Sequence, residues 1–302
     1  MWTDRLDQWY AKHGRHELPW RLTADPWEVL VSEVMLQQTS VTRVLPRWKR
    51  FLVRWPDPAA CAGEPLQEVL REWHGLGYPR RARSLWLTAA RVASEGWPAD
   101  ESGLRALPGV GVYTARALLA FSQVGLDPEL PPRDVNLGRI GARAGLGREP
   151  QDVALRVLDL VLADARPVSM PMREFSYALF DVGAAHCQAV PRCDGCPLAP
   201  ACAFRLSGRP LAVPRRRQPP YRGSLRQLRG AILAAVLDGD NGDPASVRQE
   251  VSDLLGPTAA RFDEALRGLM ADGLIPLAAL GSPHANEIRG AGRHPRSALA
   301  TS

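Results

Sequence analysis

Four of the five cysteines, Cys187, Cys193, Cys196 and Cys202, fall inside sixteen residues, "CQAVPRCDGCPLAPAC". In a chain with no leader-like apolar start, that crowding reads as metal ligation rather than as disulfides. Zinc sites more often pair two separated Cys-x-x-Cys motifs, and only one such pair is present. Four thiolates holding a cubane 4Fe–4S cluster match the spacing better. His186 adjoins the first cysteine and reads as a helix-end or surface residue, and Arg192 could bring positive charge to the same loop. A second chemical candidate is Glu33. Three and four residues either side of it stand Val29, Leu30, Leu36 and Gln37, so a helix here surrounds the acid mostly with apolar side chains. Such a setting disfavours the carboxylate, raises its pKa and keeps a transferable proton near neutral pH. A third is the turn "LPGVG" at 107–111, where Gly109 and Gly111 can take backbone angles closed to other residues, exposing amides at a helix N-terminus suited to a phosphate.

The elements that position these groups read as helical. Asp25 caps and Pro26 opens a segment in which Trp27, Leu30, Val31, Val34 and Met35 recur at helical spacing. Further helical patterns lie near 41–54, 65–73, 80–94, 112–123, 151–164 and 172–186. No alternating strand precedes residue 205, so the expected fold is all-α, built of short helices. A basic, Pro-rich linker is expected over 206–224, carrying Arg215, Arg216 and Arg217. Beyond it, three helices followed by a short strand-like piece resemble a winged-helix module over 225–281. The Gly-, Ser- and Arg-containing stretch 282–302 is expected to be disordered.

Composition narrows the classes. The 302 residues are 45% hydrophobic, enough for a folded core, and carry a formal net charge of +6. The isoelectric point near 9.4 suits a polyanionic partner. No apolar run reaches the length of a membrane span, so a cytoplasmic protein with no membrane association is expected.

Taken together, "LPW" at 18–20, "SEVMLQQT" at 32–39, "GLGYPRRARSL" at 75–85, "LPGVGVYTARA" at 107–117, Asp134 and the cysteine loop resemble the helix-hairpin-helix, iron–sulfur DNA glycosylases. Within them the chain is most similar to the A/G-specific adenine DNA glycosylases of the MutY type, over roughly residues 5–204. The resemblance implies an iron–sulfur cluster domain formed by 1–20 and 125–205, and a helical barrel domain, 21–124, containing the hairpin. It implies a 4Fe–4S cofactor and a double-stranded DNA partner containing adenine mispaired with 8-oxoguanine or guanine, bound by a monomer. Glu33 then protonates the departing adenine. Asp134 stabilises the sugar cation and helps water add, with Asn136 matching the family asparagine two positions on. Arg15, Leu18 and Trp20 line the adenine pocket, Gln38 and Tyr78 wedge the duplex at the lesion, and Gly109 and Gly111 form the hairpin. Tyr113 stands where lyase relatives carry a Schiff-base lysine, which implies a monofunctional hydrolase.

The chain departs from the family at several points. It reads Asp-Val-Asn at 134–136 where Asp-Gly-Asn is usual, places Tyr177 where many relatives have Gln or Glu, and lacks the strand pattern of a C-terminal NUDIX-like domain. A mismatch thymine or uracil glycosylase, or a non-catalytic DNA-binding paralogue, are the competing readings. The glutamine pair of "MLQQT" favours adenine, and the presence of both Glu33 and Asp134 favours an enzyme.

Overall fold

The computed structural model describes residues 1–208, 220–238 and 244–275, and among these residues it contains helices and no strand. In chain order the α-helices are α1 (Leu6–His13), α2 (Pro19–Leu22), α3 (Pro26–Leu36), α4 (Val41–Arg54), α5 (Pro58–Ala62), α6 (Leu66–Trp73), α7 (Pro79–Glu95) and α8 (Glu101–Arg105). They continue with α9 (Val112–Phe121), α10 (Val135–Ile140), α11 (Leu155–Asp164), α12 (Met172–Ala185), α13 (Ala203–Leu206), α14 (Leu225–Asp238), α15 (Pro244–Leu255) and α16 (Phe262–Ala271). A π-helical stretch, Gly141–Gly145, prolongs α10. The all-α expectation holds. The four- to six-residue helices α2, α5, α8, α10 and α13 were not visible as periodicity, because fewer than two turns give no recurring apolar face.

Aspartate caps start several of these helices. Asp25 Oδ1 accepts the Trp27 and Glu28 amides at 2.8 and 3.0 Å, and Asp57, Asp100 and Asp134 cap α5, α8 and α10 in the same way. Helix α3 is buried on every side from Val29 to Met35, as is α9 from Thr114 to Phe121. The two pack on each other, and α3 also packs on α4. Indole anchors fix that second contact: Trp27 Nε1 donates to the Trp55 carbonyl at 3.0 Å and Trp48 Nε1 to the Glu28 carbonyl at 2.9 Å. A helix without a solvent face explains why Glu33 has apolar neighbours in sequence.

The chain forms two compact units. One comprises Met1–Glu64 and Ser84–Arg216, the other Pro65–Arg83 and Arg217–Ser302. In this division the cysteine loop falls in the first unit, while α6 and the start of α7 group with the C-terminal helices. In the second unit α14 packs on α15, α16 and α6, burying Leu228, Ile232, Val251, Phe262 and Leu269. The three helices expected beyond residue 224 are present. Most of the expected linker, including Arg215–Arg217, the strand-like piece after α16 and the stretch 282–302 lie outside the described residues.

Candidate active site and cysteine loop

Glu33 lies in the middle of α3 with 6% of its surface exposed. Tyr113, in the first turn of α9, donates its hydroxyl to Glu33 Oε2 at 2.6 Å. Burial pushes the Glu33 carboxyl up to about 7; the Tyr113 bond pulls the other way, the Asp134 charge adds to the rise and Arg21 opposes it. Burial also raises the Tyr113 phenol, as does the adjacent Glu33 charge. The phenol is therefore a neutral donor.

Asp134 caps α10. Its Oδ1 accepts the Asn136 and Leu137 amides, both at 2.8 Å, and its Oδ2 accepts Asn136 Nδ2 at 2.7 Å. Burial raises its pKa while these three bonds favour the ionised form. Cap and candidate catalytic group are thus the same carboxylate. Asn136 passes the connection on: its Oδ1 accepts Arg139 Nη2 at 2.6 Å, and Arg139 Nε donates to the Cys187 carbonyl at 2.6 Å.

Beside these acids lies a cation–aromatic cluster. Tyr177 of α12 stacks on Phe121 of α9, with centroids 4.3 Å apart and planes 23° apart. The Arg21 guanidinium sits 4.5 Å from the Tyr177 ring centre and grips Asp181 with both terminal nitrogens at 2.7 and 2.9 Å, leaving its buried Nε without a partner. Arg15 joins the same carboxylate through its amide at 2.9 Å and Nε at 2.6 Å. Burial alone would raise Asp181; the bonds and charges of Arg21 and Arg15 outweigh it and hold the carboxyl below its ordinary value. Leu18 and Trp20 are buried in the same unit, Trp20 meeting Trp48 edge-on at 5.9 Å. Arg21 and Asp181 were missed as site residues. Arg21 directly follows "LPW", which was the available signal; its partner lies 160 residues away.

The hairpin takes the expected course. Gly109 has φ +76°, and a Cβ there would meet Ser84 Cβ at 2.6 Å, so glycine is required twice over. Gly111, free as a glycine to take angles closed to other residues, does not use that freedom and caps α9 at φ −94°, ψ −177°, which any residue adopts. Nothing stands within 4 Å of the site of its missing side chain, so its contribution is to leave the α9 N-terminus uncovered. Gln38 and Tyr78 are the two non-glycine residues with positive φ among the described residues, at +58° and +49°. Left-handed backbone in such residues costs free energy and concentrates at functional sites. Gln38 is exposed, and Tyr78 is 41% exposed with the Arg81 guanidinium 4.7 Å from its ring centre.

Cys187, Cys193, Cys196 and Cys202 are unbridged and line one cavity together with Arg143 and Arg192. No three His, Cys, Asp or Glu side chains among the described residues converge closely enough to hold a single metal ion. A cubane cluster places each thiolate on a different iron, so its ligands stand farther apart than those of one ion. Arg143, buried at 3% and unforeseen, is paired with Glu149 and braces the loop by donating to the Gln188 and Ala189 carbonyls at 2.7 and 3.0 Å. His186 caps α12, its Nδ1 lying 3.1 Å from the Arg192 carbonyl.

Comparison with known proteins agrees with this architecture. Solved structures of similar fold include a thermostable thymine-DNA glycosylase, at TM-score 0.59 and 24% identity over 67% of this chain and 93% of that one. A trapped endonuclease III–DNA covalent intermediate matches at TM-score 0.55 and 23% identity over 68% and 93%. Residues 31–158 match the HhH-GPD superfamily base excision DNA repair protein family. The fold is thus shared with these structures, and the family match spans residues 31–158 of this chain.

Among curated proteins, the adenine DNA glycosylase of Mycolicibacterium smegmatis is 41% identical over 91% of this chain and 93% of its own length, and that of Mycobacterium tuberculosis 40% over 88% of each. The adenine DNA glycosylase of Buchnera aphidicola subsp. Baizongia pistaciae is 32% identical over 67% of this chain. The chain belongs to the adenine DNA glycosylase family within the HhH-GPD superfamily. A 91% span of 302 residues necessarily takes in α14–α16, so the C-terminal helices lie inside the region matched by the first of these relatives. No helix among the described residues is long and apolar enough to cross a membrane.

Proposed function

We propose that this protein is a monofunctional DNA glycosylase of base excision repair, a cytoplasmic monomer that hydrolyses the N-glycosidic bond of adenine mispaired with 8-oxoguanine or guanine in duplex DNA. The observation that carries the reading is the buried Glu33 carboxyl, raised to about 7 and bonded by Tyr113, beside a second acid, Asp134, that burial raises and whose ionised form three hydrogen bonds favour. Cleaving an N-glycosidic bond needs this division: one carboxyl supplies a proton to the leaving base, and one carboxylate steadies the sugar cation. Tyr113 occupies Oε2 of Glu33, leaving Oε1 to carry the transferable proton. Asp134, which cannot turn without breaking its cap, presents its carboxyl at a fixed position and in its ionised form accepts a proton from the incoming water. A phenol at position 113 forms no imine, in keeping with hydrolysis rather than lyase chemistry.

The base follows from the relatives, which share the name adenine DNA glycosylase; the opposing 8-oxoguanine or guanine follows from the motif resemblance. Arg15, Leu18 and Trp20 belong to the adenine pocket, with Arg21, Asp181 and Tyr177 as its rigid backing. The uncovered amides at the α9 N-terminus suit a DNA phosphate, and Gln38 and Tyr78 suit wedges that offset the cost of unstacking. Cys187, Cys193, Cys196 and Cys202 would hold a 4Fe–4S cluster, whose contribution when bound is to cross-link a loop that has little core of its own.

The test is single-turnover excision on duplexes carrying A opposite 8-oxoguanine, A opposite G, T opposite G and U opposite G. Adenine should be removed from the first two, leaving an abasic strand that breaks only in hot alkali and is not trapped on the protein by borohydride. Faster loss of T or U, or efficient trapping, would overturn the assignment.

A further inference from the structure

The second unit joins the C-terminal helices to the loop that carries Tyr78, and it does so on both sides of that loop. Before the loop, α6 packs against α14, and Arg71 Nε donates to the carbonyl of Leu237 near the end of α14 at 2.9 Å. Beyond the loop, in the first turns of α7, Arg80 Nε pairs with Asp272 Oδ1 at 3.5 Å. The Arg83 guanidinium lies against Gly273, its Nε 2.7 Å from where a side chain would begin. Asp272 is in turn held within the module by Arg229 of α14. Asp272 and Gly273 form the turn after α16, and Gly273, at φ +65°, adopts the left-handed form that lets Arg83 close over it.

Between these pins the loop has a costly shape. Gly75, Gly77 and Tyr78 have φ of +85°, +74° and +49°, and Trp73 Nε1 donates to the Gly77 carbonyl at 3.1 Å. A non-glycine residue held at positive φ relaxes unless its surroundings over-determine it. α14–α16 supply such surroundings from both flanks.

We infer that the C-terminal helices position the Gly75–Arg83 loop, with Asp272 as the principal positioning residue, so that Tyr78 is presented in a preset conformation to mispaired duplex. The inference rests on the reading of Tyr78 as a wedge, and it makes the module a support for lesion engagement rather than a strap on the DNA backbone. A strap contributes affinity through phosphate contacts irrespective of sequence, whereas a support for Tyr78 contributes only where the duplex is to be wedged. The sign of the charge change separates the two. Asp272→Asn deletes a negative charge, which by electrostatics alone favours binding to DNA; lost positioning weakens it, and only for the mispair.

The experiment uses the full chain and compares wild type, Asp272→Asn, Gly273→Ala, Tyr78→Ala and Asp272→Asn/Tyr78→Ala. Binding is measured on A opposite 8-oxoguanine and on fully paired duplex, alongside single-turnover excision at saturating enzyme and hydrogen exchange of the 75–83 amides. Asp272→Asn should weaken mispair binding about two- to fivefold, the range a partly exposed ion pair supports. Fully paired binding should be unchanged or tighter, saturated excision within about twofold of wild type by the same reasoning, and exchange across 75–83 faster. Gly273→Ala, which displaces Arg83 without altering charge, should repeat the pattern, and Asp272→Asn should add no further loss once Tyr78 is alanine. Unchanged mispair binding and loop exchange in both single variants, with α14–α16 still folded, would overturn the inference. So would an Asp272→Asn loss that persists in full without Tyr78. Wild-type mispair binding by Tyr78→Ala would instead sink the wedge reading, while the exchange data still report whether the module pins the loop.

Discussion

Replacing Glu33 by glutamine tests the central acid through two independent readouts. The Glu33 carboxyl is raised from 4.5 to about 7 in the folded protein. At about 1.4 kcal/mol per pKa unit, keeping this group ionised in the fold costs about 3 kcal/mol. Between pH 4.5 and 7 the folded state retains a proton that the unfolded chain has released, so stability declines as pH rises through that window. The cost is absent below it and complete above it. Glutamine does not titrate, and its carbonyl can still accept the Tyr113 hydroxyl, so the variant escapes the cost without losing the bond. Glu33→Gln should therefore match wild type near pH 4.5 and exceed it by up to about 3 kcal/mol at pH 8. Urea unfolding of both proteins at pH 5 and pH 8 measures the difference. The same variant should bind mispaired duplex yet lose excision by ~10²-fold or more, the contribution of general acid catalysis. A stability difference that does not change with pH would refute the buried-acid account, and near-normal single-turnover excision would remove Glu33 as the proton donor.

Two further outcomes follow from the same site. Tyr113→Phe removes the bond that lowers the Glu33 pKa, so the alkaline fall of single-turnover excision should move to higher pH by about one unit, a hydrogen bond to a charged group being worth about 1.5–3 kcal/mol; a shift to lower pH would contradict the arrangement. Purified protein should be yellow-brown with about four irons per chain, and Cys196→Ala should lose iron; stoichiometric zinc without iron would displace the cluster from the cysteine loop.

Much of the candidate site was legible because its local geometry depends on short-range order. Apolar residues three and four positions from Glu33 already implied a buried acid, since helix geometry alone brings those side chains around it. Asp25 before Pro26 marked the start of α3, and the four cysteines were close enough in sequence for one loop to bring them to a common cavity. The tyrosine at 113 carries no amine, which the resemblance alone turns into an argument against a lyase. Glycine at 109 was likewise readable as a positive-φ position, whereas glycine at 111 was not readable as an ordinary cap, because sequence shows the residue type and not the backbone angle.

Only the tertiary structure decided how distant segments meet. Asp181 gathers Arg15 and Arg21 from 166 and 160 positions away, and Tyr177 reaches the cluster around Arg21 only because α12 packs on α9. Arg143 looks like any surface arginine until its partners Glu149, Gln188 and Ala189 are assembled around it. The grouping of α6 and the Tyr78 loop with α14–α16 depends on an arginine meeting a helix-end carbonyl 166 residues later, which no local pattern announces. Sequence patterning follows the period of a single helix and therefore states which face is buried; it carries no information on which other helix buries it, because that is set by how the whole chain closes its cores.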